Sequence, residues 1–554
     1  MKHIFALILF IAVCRAKSSI YFPDEWEKIK IDALRGVPMH VPPYKYATEN
    51  FIKPQRSSLH EKLKLYSFFP PQWEEQTFGL ISRAIANFSL NLDRAIEESN
   101  SSNDENIVFS PLALSATLSL VLLASNGETF NELAKILGFE IIHDVYHDSE
   151  LVHKIVGLAN QEMIEGLADD PDGPKARLSL GLFLKVSKVI VIQIMNSPSN
   201  SGYKYFSPHQ SGYLIRDEFQ SISREFYRGD VVNLDFEHHS REAQQVINNW
   251  VYEKSEGKIE SILDEVPSPL TKAIIASVLY FNGEWDQHFI DGITQKVEFK
   301  IDENRTVWVD MMYNDGRFPF YNDPKLKVKI IGFPYKNNQV SMYAILPDEP
   351  GAAALRNLKR RMNAADLEEL IGKMQNRSCL VAFPRMNLSS DLNLERALKR
   401  MGLESLFDPA TADLGMLSQG NPLGGDDVRA SRYESPFEQD HCLARRLDPS
   451  LVAYLRSNLP AVRLDELRRA ADLVNPGLFA DSLLHRVRMR VNEEGTEAAA
   501  ATAIEFIDKI LPDERFKADR PFLLAIRHAP TKSLLFWATV NKPTPFYTQP
   551  PPKL

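Results

Sequence analysis

The sequence contains few cysteines and none of the common hydrolase motifs. Only three of its 554 residues are cysteine, which is too few for the disulfide framework of a small secreted scaffold. The chain has no Gly-x-Ser-x-Gly, His-Glu-x-x-His or Cys-x-x-Cys segment, so its residues do not support a secreted hydrolase. Positive charge is not in excess either. The formal net charge is −9, which argues against nucleic acid as the main partner.

Long hydrophobic runs are also rare, and the one at the N-terminus is too short to span a bilayer. Lys2 and His3 precede the apolar residues 4–13, and small residues follow where signal peptidase cuts. We therefore expect residues 1–16 to be a secretory signal peptide and the mature protein to be extracellular. A signal anchor is the alternative.

Export has consequences for the remaining cysteines and for glycosylation. Cys379 and Cys442 would be the only thiols of the mature protein, and their sequence separation does not decide whether they pair. Five Asn-x-Ser/Thr sequons become candidate glycosylation sites, and Asn100 in a polar loop is favoured over Asn87 in a helical pattern. The sequons lie at Asn87, Asn100, Asn304, Asn376 and Asn387.

The chain reads as one large domain with a preceding arm and two insertions. We expect an extended N-terminal arm over residues 17–72, the domain over 73–548 and a Pro-rich tail over 549–554. Stretches near 190–212 and 418–475 look inserted. We expect the second, arginine-rich insertion to be partly helical, with its arginines on a solvated helical face. A site for an acidic partner and an erroneous gene model are the alternatives.

Hydrophobic periodicity predicts helices first and then many strands, which indicates one α+β domain. Ser110-Pro111 supplies a cap residue and a first-turn proline for the second helix. The predicted helices span residues 78–95, 112–123, 127–137, 150–168, 241–257, 356–373 and 394–401. The predicted strands span residues 178–185, 273–281, 297–312, 328–333, 340–346 and 379–383.

The stretch VNEEGTEAAAATAIEFIDKI, residues 491–510, is compatible with a helix and with a strand. Its alanines and leading acidic residues favour a surface helix on composition alone. As a strand it would show one face without charge, because alternate side chains point the same way. That face would carry Thr496, Ala498, Ala500, Thr502, Ile504 and Phe506.

Six segments in a fixed order resemble the serpin family. They are NIVFSPLALSATLSLVLLAS from Asn106, NGETFNELAKILGF from Asn126, INNWVYEKSEGKI from Ile247, SVLYFNGEWDQHF from Ser277, VRMRVNEEGTEAAAATA from Val487 and DRPFLLAIRH from Asp519. The resemblance extends to extracellular serpins of arthropods. It implies an α+β fold of about nine helices over three β-sheets. It also implies an exposed reactive-centre loop that can enter the main sheet as an extra strand.

The resemblance assigns residues 493–502 to the hinge at the start of that loop. Small side chains are needed there, because each bulky inward residue would cost about 1–3 kcal/mol through overpacking, and a buried unpaired charge would cost more. The sequence meets this demand. The implied hinge residues are Glu493, Gly495, Thr496, Glu497, Ala498, Ala499, Ala500, Ala501 and Thr502.

The family spacing, sixteen residues on from the first hinge residue, implies that the bond between Lys509 and Ile510 is cut. A lysine suits a specificity pocket with an acidic base, so the implied partner is a trypsin-like serine protease held as a covalent acyl complex. Phe506, Ile507 and Arg515 are competing cleavage points.

Ser110, Trp285 and His485 match the family's sheet-opening region. We expect His485 to be a hydrogen-bonding latch without a catalytic role. Ala113 and Ser277 replace a frequent Ser and a frequent Asn, so we expect a thinner hydrogen-bond network there.

The resemblance implies a monomeric, extracellular suicide-substrate inhibitor, and the alternative is a noninhibitory serpin that acts as a carrier, storage or chaperone-like protein. A bulky or charged inward hinge residue would indicate the alternative. The region matching the helix of glycosaminoglycan-activated relatives, residues 131–153, is not strongly basic, so heparin activation is not predicted. We expect no cofactor, no metal site, and no nucleic-acid or membrane partner.

Overall fold

A computed structural model describes most of the chain from Pro71 onward. The predicted signal peptide, nearly all of the predicted N-terminal arm, and Cys442 lie outside the described residues. The described residues are 71–99, 105–169, 173–185, 187–193, 205–211, 215–227, 229–418, 429–431, 447–458, 461–470, 473–496 and 514–549.

Eleven α-helices lie within these residues. Two of them, α10 and α11, belong to the second insertion, so the rest agree with the nine helices that the resemblance implies. The helices are α1 (Pro71–Ser99), α2 (Pro111–Ala124), α3 (Gly127–Leu137), α4 (Ser149–Asp169), α5 (Asp217–Ile222), α6 (Ser240–Lys254), α7 (Ala352–Arg361), α8 (Ala364–Gly372), α9 (Glu395–Arg400), α10 (Pro449–Asn458) and α11 (Leu464–Arg468).

The described strands form two large sheets and two small two-stranded sheets. They are β1 (Ile107–Phe109), β2 (Lys175–Lys185), β3 (Ser187–Gln193), β4 (Tyr205–Ser211), β5 (Asp230–Leu234), β6 (Ala273–Glu284), β7 (Gln295–Lys300), β8 (Thr306–Asp323), β9 (Val328–Pro334), β10 (Val340–Pro347), β11 (Gln375–Pro384), β12 (Met386–Asn393), β13 (Arg429–Ala430), β14 (Val474–Asn475), β15 (Ser482–Val491), β16 (Gly495–Thr496), β17 (Glu514–Lys517), β18 (Phe522–His528) and β19 (Leu534–Val540).

The main sheet has six strands in the order β12-β15-β16-β6-β2-β5. The other large sheet runs β1-β19-β18-β10-β9-β8-β11-β17, with β7 paired to β8. It is continuous because β8 is 18 residues long and pairs with β7 over residues 306–311, with β11 over 311–320 and with β9 over 320–323. Helices packed on mixed sheets confirm the predicted α+β fold class.

Helix α2 lies at the centre of the core and packs against β6, β2 and β19. All of its residues are buried, which explains why its sequence is apolar around its full circumference. The Ser110 hydroxyl caps the helix by accepting the Ala113 N–H at 3.1 Å, and Pro111 occupies the first turn. The predicted start of this helix is therefore confirmed.

Two predicted elements are divided in the structure. The single strand predicted over residues 297–312 is a hairpin of β7 and β8, whose turn is closed by Asp302 accepting the N–H groups of Asn304 and Arg305. The single helix predicted over residues 356–373 is split into α7 and α8. The break falls at Asn363, because this residue caps α8 in a capping box with Asp366.

The insertions contain regular structure where the structure describes them. The first carries the antiparallel pair β3–β4, and the second carries α10, α11 and the short pair β13–β14. The expectation of a solvated arginine face is wrong for Arg468, which is 1% exposed. Among the described residues, no helix is long and apolar enough to cross a membrane.

A buried ion cluster holds α7 against α1 and β19. The Lys359 ammonium lies 3.1 Å from an Asp93 carboxylate oxygen and 3.2 Å from a Glu97 carboxylate oxygen. It also donates to the Thr539 hydroxyl at 3.3 Å. The side chains of Lys359 and Asp93 are each only 1% exposed, so both charges depend on this pairing.

Replacing this lysine should destabilise the fold. In Lys359→Met the Asp93 carboxylate would be buried without its partner, and we expect a loss of about 3–5 kcal/mol, measured as a lower thermal unfolding midpoint. Lys325→Met is the matched control, because the Lys325 side chain is 68% exposed in its pair with Asp366. Equal midpoints for the two variants would contradict this account.

Candidate functional site

The boundary between β6 and β15, which we call the seam, is the place where the main sheet could accept another strand. The two strands run parallel and pair from Ser482–Val487 to Ile274–Leu279. Each strand could pair instead with an antiparallel strand placed between them, and such a strand would satisfy the hydrogen bonds of both edges. The seam is therefore a candidate site for strand addition.

Strand β16 already occupies one end of the seam, which we call the upper end. Gly495 and Thr496 pair antiparallel with Glu284 and Gly283 of β6. Thr496 also pairs antiparallel with Val491 of β15. The chain thus turns back after β15 and begins a new central strand between its neighbours.

The close approach of the two backbones requires glycine on both sides. A Cβ on Gly495 would lie 2.2 Å from the Gly283 carbonyl oxygen, which no side chain can tolerate. A Cβ on Gly283 would lie 2.7 Å from the ring of Tyr335. These two glycines therefore make room for β16.

The stacked side chains of Tyr335 and Trp285 hold Thr496 in place. It is 1% exposed, and its hydroxyl shares a 2.7 Å hydrogen bond with the Tyr335 hydroxyl. Tyr335 stacks on Trp285 at 4.5 Å between ring centroids, and the Trp285 indole N–H donates to the Asn492 carbonyl at 3.0 Å. Burial raises the pKa of Tyr335, so its hydroxyl stays neutral.

The turn between β15 and β16 is fixed by polar contacts. The Asn492 side-chain oxygen accepts the N–H groups of Glu494 at 3.1 Å and Gly495 at 2.9 Å. The Glu493 carboxylate pairs with Arg385 and accepts the Thr294 hydroxyl at 2.6 Å. Burial by itself would raise the pKa of Glu493, but the hydrogen bonds from Arg385 and Thr294 outweigh it and lower the pKa. Glu493 is thus an ionised anchor.

Lower in the seam, a histidine links both strands to helix α2. The Ser110 N–H donates to His485 Nε2 at 2.9 Å, and His485 Nδ1 lies 2.7 Å from the Ser277 hydroxyl. Because Nε2 accepts, the neutral ring carries its hydrogen on Nδ1 and donates it to Ser277. Burial lowers the pKa of His485 to about 3. We call Ser110, Ser277 and His485 the latch.

The structure brings together two of the three residues assigned to sheet opening. Ser110 and His485 are joined by a hydrogen bond, whereas Trp285 follows the end of β6 and donates its backbone N–H to the Glu494 carbonyl of the hinge at 2.9 Å. Trp285 comes eight residues after Ser277, about 26 Å along an extended strand. At the two positions expected to thin the network, the Ser277 hydroxyl and the Ala113 N–H each still form a hydrogen bond.

The lower end of the seam is closed by a residue that sequence reasoning missed. The Asp481 carboxylate accepts the Lys272 N–H at 2.5 Å and the Ala273 N–H at 3.1 Å. The Asp481 N–H donates to the Ala273 carbonyl at 3.0 Å. No sequence pattern singles out Asp481. Tyr335 and Arg385 were missed for the same reason, since their partners come from distant parts of the chain.

The central part of the reactive loop lies outside the described residues. Of the expected cleavage points only Arg515 is described, and it lies in β17, where it pairs with Leu380 of the parallel strand β11. The expected residues outside the described part are Glu497, Ala498, Ala499, Ala500, Ala501, Thr502, Phe506, Ile507, Lys509 and Ile510.

The expected modification sites are mostly described. Cys379 is buried in β11, and because Cys442 is outside the described residues, their pairing stays a prediction. The sequon Asn100 is also outside. Exposed asparagines occupy the other sequons, at Asn87, Asn304, Asn376 and Asn387.

Comparison with known proteins identifies the family. The Serpin (serine protease inhibitor) family model matches residues 83–543, so the chain belongs to the serpin family. Serpins are protease inhibitors and not enzymes. Serine protease inhibitor 28Dc of Drosophila melanogaster is 28% identical over 494 residues, covering 83% of this chain and 80% of that protein. Leukocyte elastase inhibitor of Sus scrofa is 27% identical over 470 residues, covering 84% and 99%.

A solved structure shows the same fold. Thyroxine-binding globulin in complex with thyroxine has a TM-score of 0.60 at 20% sequence identity, covering 84% of this chain and 99% of that one. At this identity the likeness concerns the fold alone.

Acidification should weaken the uncut protein partly through the latch. Burial depresses the pKa of His485 from 6.5 to about 3, so between these values the unfolded state binds a proton that the folded state does not. The contribution is complete above pH 6.5 and is lost toward pH 3, at up to about 1.4 kcal/mol per pH unit. His485→Gln should therefore lose less thermal stability than wild type between pH 7 and pH 5.

The control for this measurement is His147→Gln, because the His147 side chain is 50% exposed. This variant removes an exposed imidazole and leaves the three latch residues in place. Burial also lowers the pKa values of His153 and His528, to about 3 and about 4. These two residues therefore contribute to the change of thermal stability with pH in every variant. If thermal stability changed with pH as strongly in His485→Gln as in wild type, His485 would not contribute to this pH dependence.

Proposed function

We propose that this protein is a secreted, monomeric suicide-substrate inhibitor of a trypsin-like serine protease. The protease cuts between Lys509 and Ile510, and the freed loop inserts into the seam before the acyl-enzyme is hydrolysed. The relatives named above, both protease inhibitors, support this class of function. The expected signal peptide and the exposed sequons support export and glycosylation.

The register of β16 is the observation that carries the proposal. On β6, Thr496 pairs with Gly283, and on β15 it pairs with Val491. Six residues further along the inserted strand, both registers bring Thr502 level with the latch, opposite Ser277 on one side and His485 on the other. Ser277 and His485 are partners in the closed seam. One strand could therefore replace their pairing without a shift in register.

The face of the inserted strand also fits. Thr496 is buried, and side chains two, four and six residues later point the same way. These are Ala498, Ala500 and Thr502, which are small or carry only a hydroxyl. Thr502 would offer that hydroxyl to the latch when the strand separates His485 from Ser277. No charge would enter the core on this stretch.

Cleavage would release the loop from its second anchor in β17. Strand β6 is 12 residues long, so a full inserted strand would span residues 495–506, about 36 Å in eleven steps. The chain must then return to β17, which starts at Glu514 and is paired with β11. The eight Cα–Cα steps from 506 to 514 reach at most about 28 Å. A cut at Lys509 removes this limit on insertion, as would the loss of β17 from its sheet.

The position of Lys509 suits this role. It lies three residues beyond the end of the inserted strand, so the acylated protease would be carried to the lower end of the seam on a short tether. The protease serine attacks the Lys509 carbonyl carbon, and the amine of Ile510 leaves. The outcome depends on whether insertion or hydrolysis of the acyl ester is faster. Arg515 is a poorer site, because its backbone is engaged in β17.

The choice of scissile bond can be tested with two matched variants. Wild-type protein incubated with trypsin-like proteases should give a covalent complex that survives denaturing gel electrophoresis. Lys509→Ala should abolish that complex, because the pocket loses its cation, whereas Arg515→Ala should keep it. A complex that persists in Lys509→Ala would refute the assigned bond. Cleavage without any complex would favour a noninhibitory serpin.

The insertion step can be tested at the hinge. Thr496→Arg would place a charge in the buried site beside Tyr335, so insertion should slow while cleavage continues. We expect the protein to become a substrate, with at least about a tenfold loss in the fraction of covalent complex. Thr496→Ser keeps the hydroxyl and should inhibit normally. Normal inhibition by Thr496→Arg would rule out the insertion mechanism.

A further inference from the structure

The second insertion lies against the start of helix α4. We call α10 and residues 461–470, which include α11, the strap. The Asp465 carboxylate of the strap accepts the Ser149 N–H at 3.0 Å and the Ser149 hydroxyl at 2.5 Å. It also accepts the Glu150 N–H at 3.3 Å. An acidic side chain of the strap thus caps the first turn of α4.

The cap is reciprocal. The Glu150 carboxylate of α4 accepts the Val462 N–H at 2.8 Å and the Leu464 N–H at 2.9 Å, at the start of α11. Lys154 pairs with the same carboxylate at 2.5 Å. Each helix therefore supplies the cap of the other, and neither contact can be lost without exposing unpaired N–H groups.

A buried arginine fixes the strap to the core at a second point. The Arg468 guanidinium lies 4.0 Å over the Phe130 ring, and it donates to the Ser125 carbonyl between α2 and α3. The Asn126 side chain donates to the Arg468 carbonyl at 3.3 Å. The strap is therefore an integral part of the fold.

The strap and α4 belong to different sides of the seam. Helix α4 packs on β2 and continues into it along the chain, and β2 pairs with β6. The strap continues along the chain through β14 into β15. The bonds between Asp465 and α4 therefore connect the two parts of the main sheet that must separate.

We propose that the strap slows insertion of the reactive loop by tying α4 to the segment that leads into β15. This inference rests on the proposed function. A new strand widens the seam by about 4.8 Å, and a hydrogen bond at 3.0 Å does not survive such a displacement. The caps at Asp465 and Glu150 thus stabilise the uncut form and are released as the loop enters. Asp465 sets the insertion rate without touching the protease.

The test compares uncut and loop-cleaved protein, using trypsin to cut the loop. In Asp465→Ala, we expect a thermal midpoint several degrees below wild type in the uncut form and an unchanged midpoint in the cleaved form. Insertion after cleavage, followed by tryptophan fluorescence, should be roughly tenfold faster, the effect of about one lost charged hydrogen bond. Glu466→Ala is the control, because Glu466 is the next residue in the strap and its side chain is 74% exposed.

Two further results would be decisive, and a second variant covers the case in which the first does not fold. An equal loss of midpoint in both forms of Asp465→Ala would overturn the strap proposal, since the caps would then be purely structural. If Asp465→Ala does not fold, Asp465→Asn retains one acceptor oxygen and permits the same comparison. If wild-type protein gains no thermal stability on cleavage, loop insertion itself fails. That result overturns the proposed function and this inference together, whereas the first leaves the proposed function intact.

Discussion

Two parallel strands, β6 and β15, pair with each other although an antiparallel strand between them would satisfy both edges. This pairing is the constraint on which the rest of the structure depends. Around it, the upper end is already opened by Gly495 and Thr496, the middle is held by His485, and the lower end is closed by Asp481. The molecule thus contains a place for a strand and several local contacts that keep the place closed.

Under the proposed mechanism, the uncut form is stable for kinetic reasons. Loop entry would add the hydrogen bonds and buried surface of a full central strand, so the inserted state would have the lower free energy. The connection to β17 and the bonds across the seam would supply the barrier. Small energies at these points matter, since one or two kcal/mol changes a rate by a factor of about five to thirty. Under the proposed mechanism, residues far from the protease would therefore also affect inhibition.

The sequence predicted the fold well where a single periodicity or cap decides the local structure. Helix α3 has the predicted bounds, and Ser110 starts α2 as expected. The divided elements were missed because one short turn, such as the one capped by Asn363, interrupts an otherwise continuous hydrophobic pattern. In the site, the family motifs grouped Ser110, Trp285 and His485 without giving the distances between them. The structure joins Ser110 and His485 by a hydrogen bond and places Trp285 at the upper end of the seam. Arg468 was missed because a buried guanidinium needs carbonyl and aromatic partners from elsewhere in the chain.

The pairing of β17 with β11 anchors the far end of the loop, and under the proposed mechanism it affects how long the uncut protein stays active. Under the proposed mechanism, the segment between residue 506 and Glu514 stays anchored at its far end by β17 until the protease cuts it. The number of residues in this segment therefore limits how far the uncut loop could enter the seam. A longer segment would favour spontaneous insertion, which would inactivate the protein before it meets a protease.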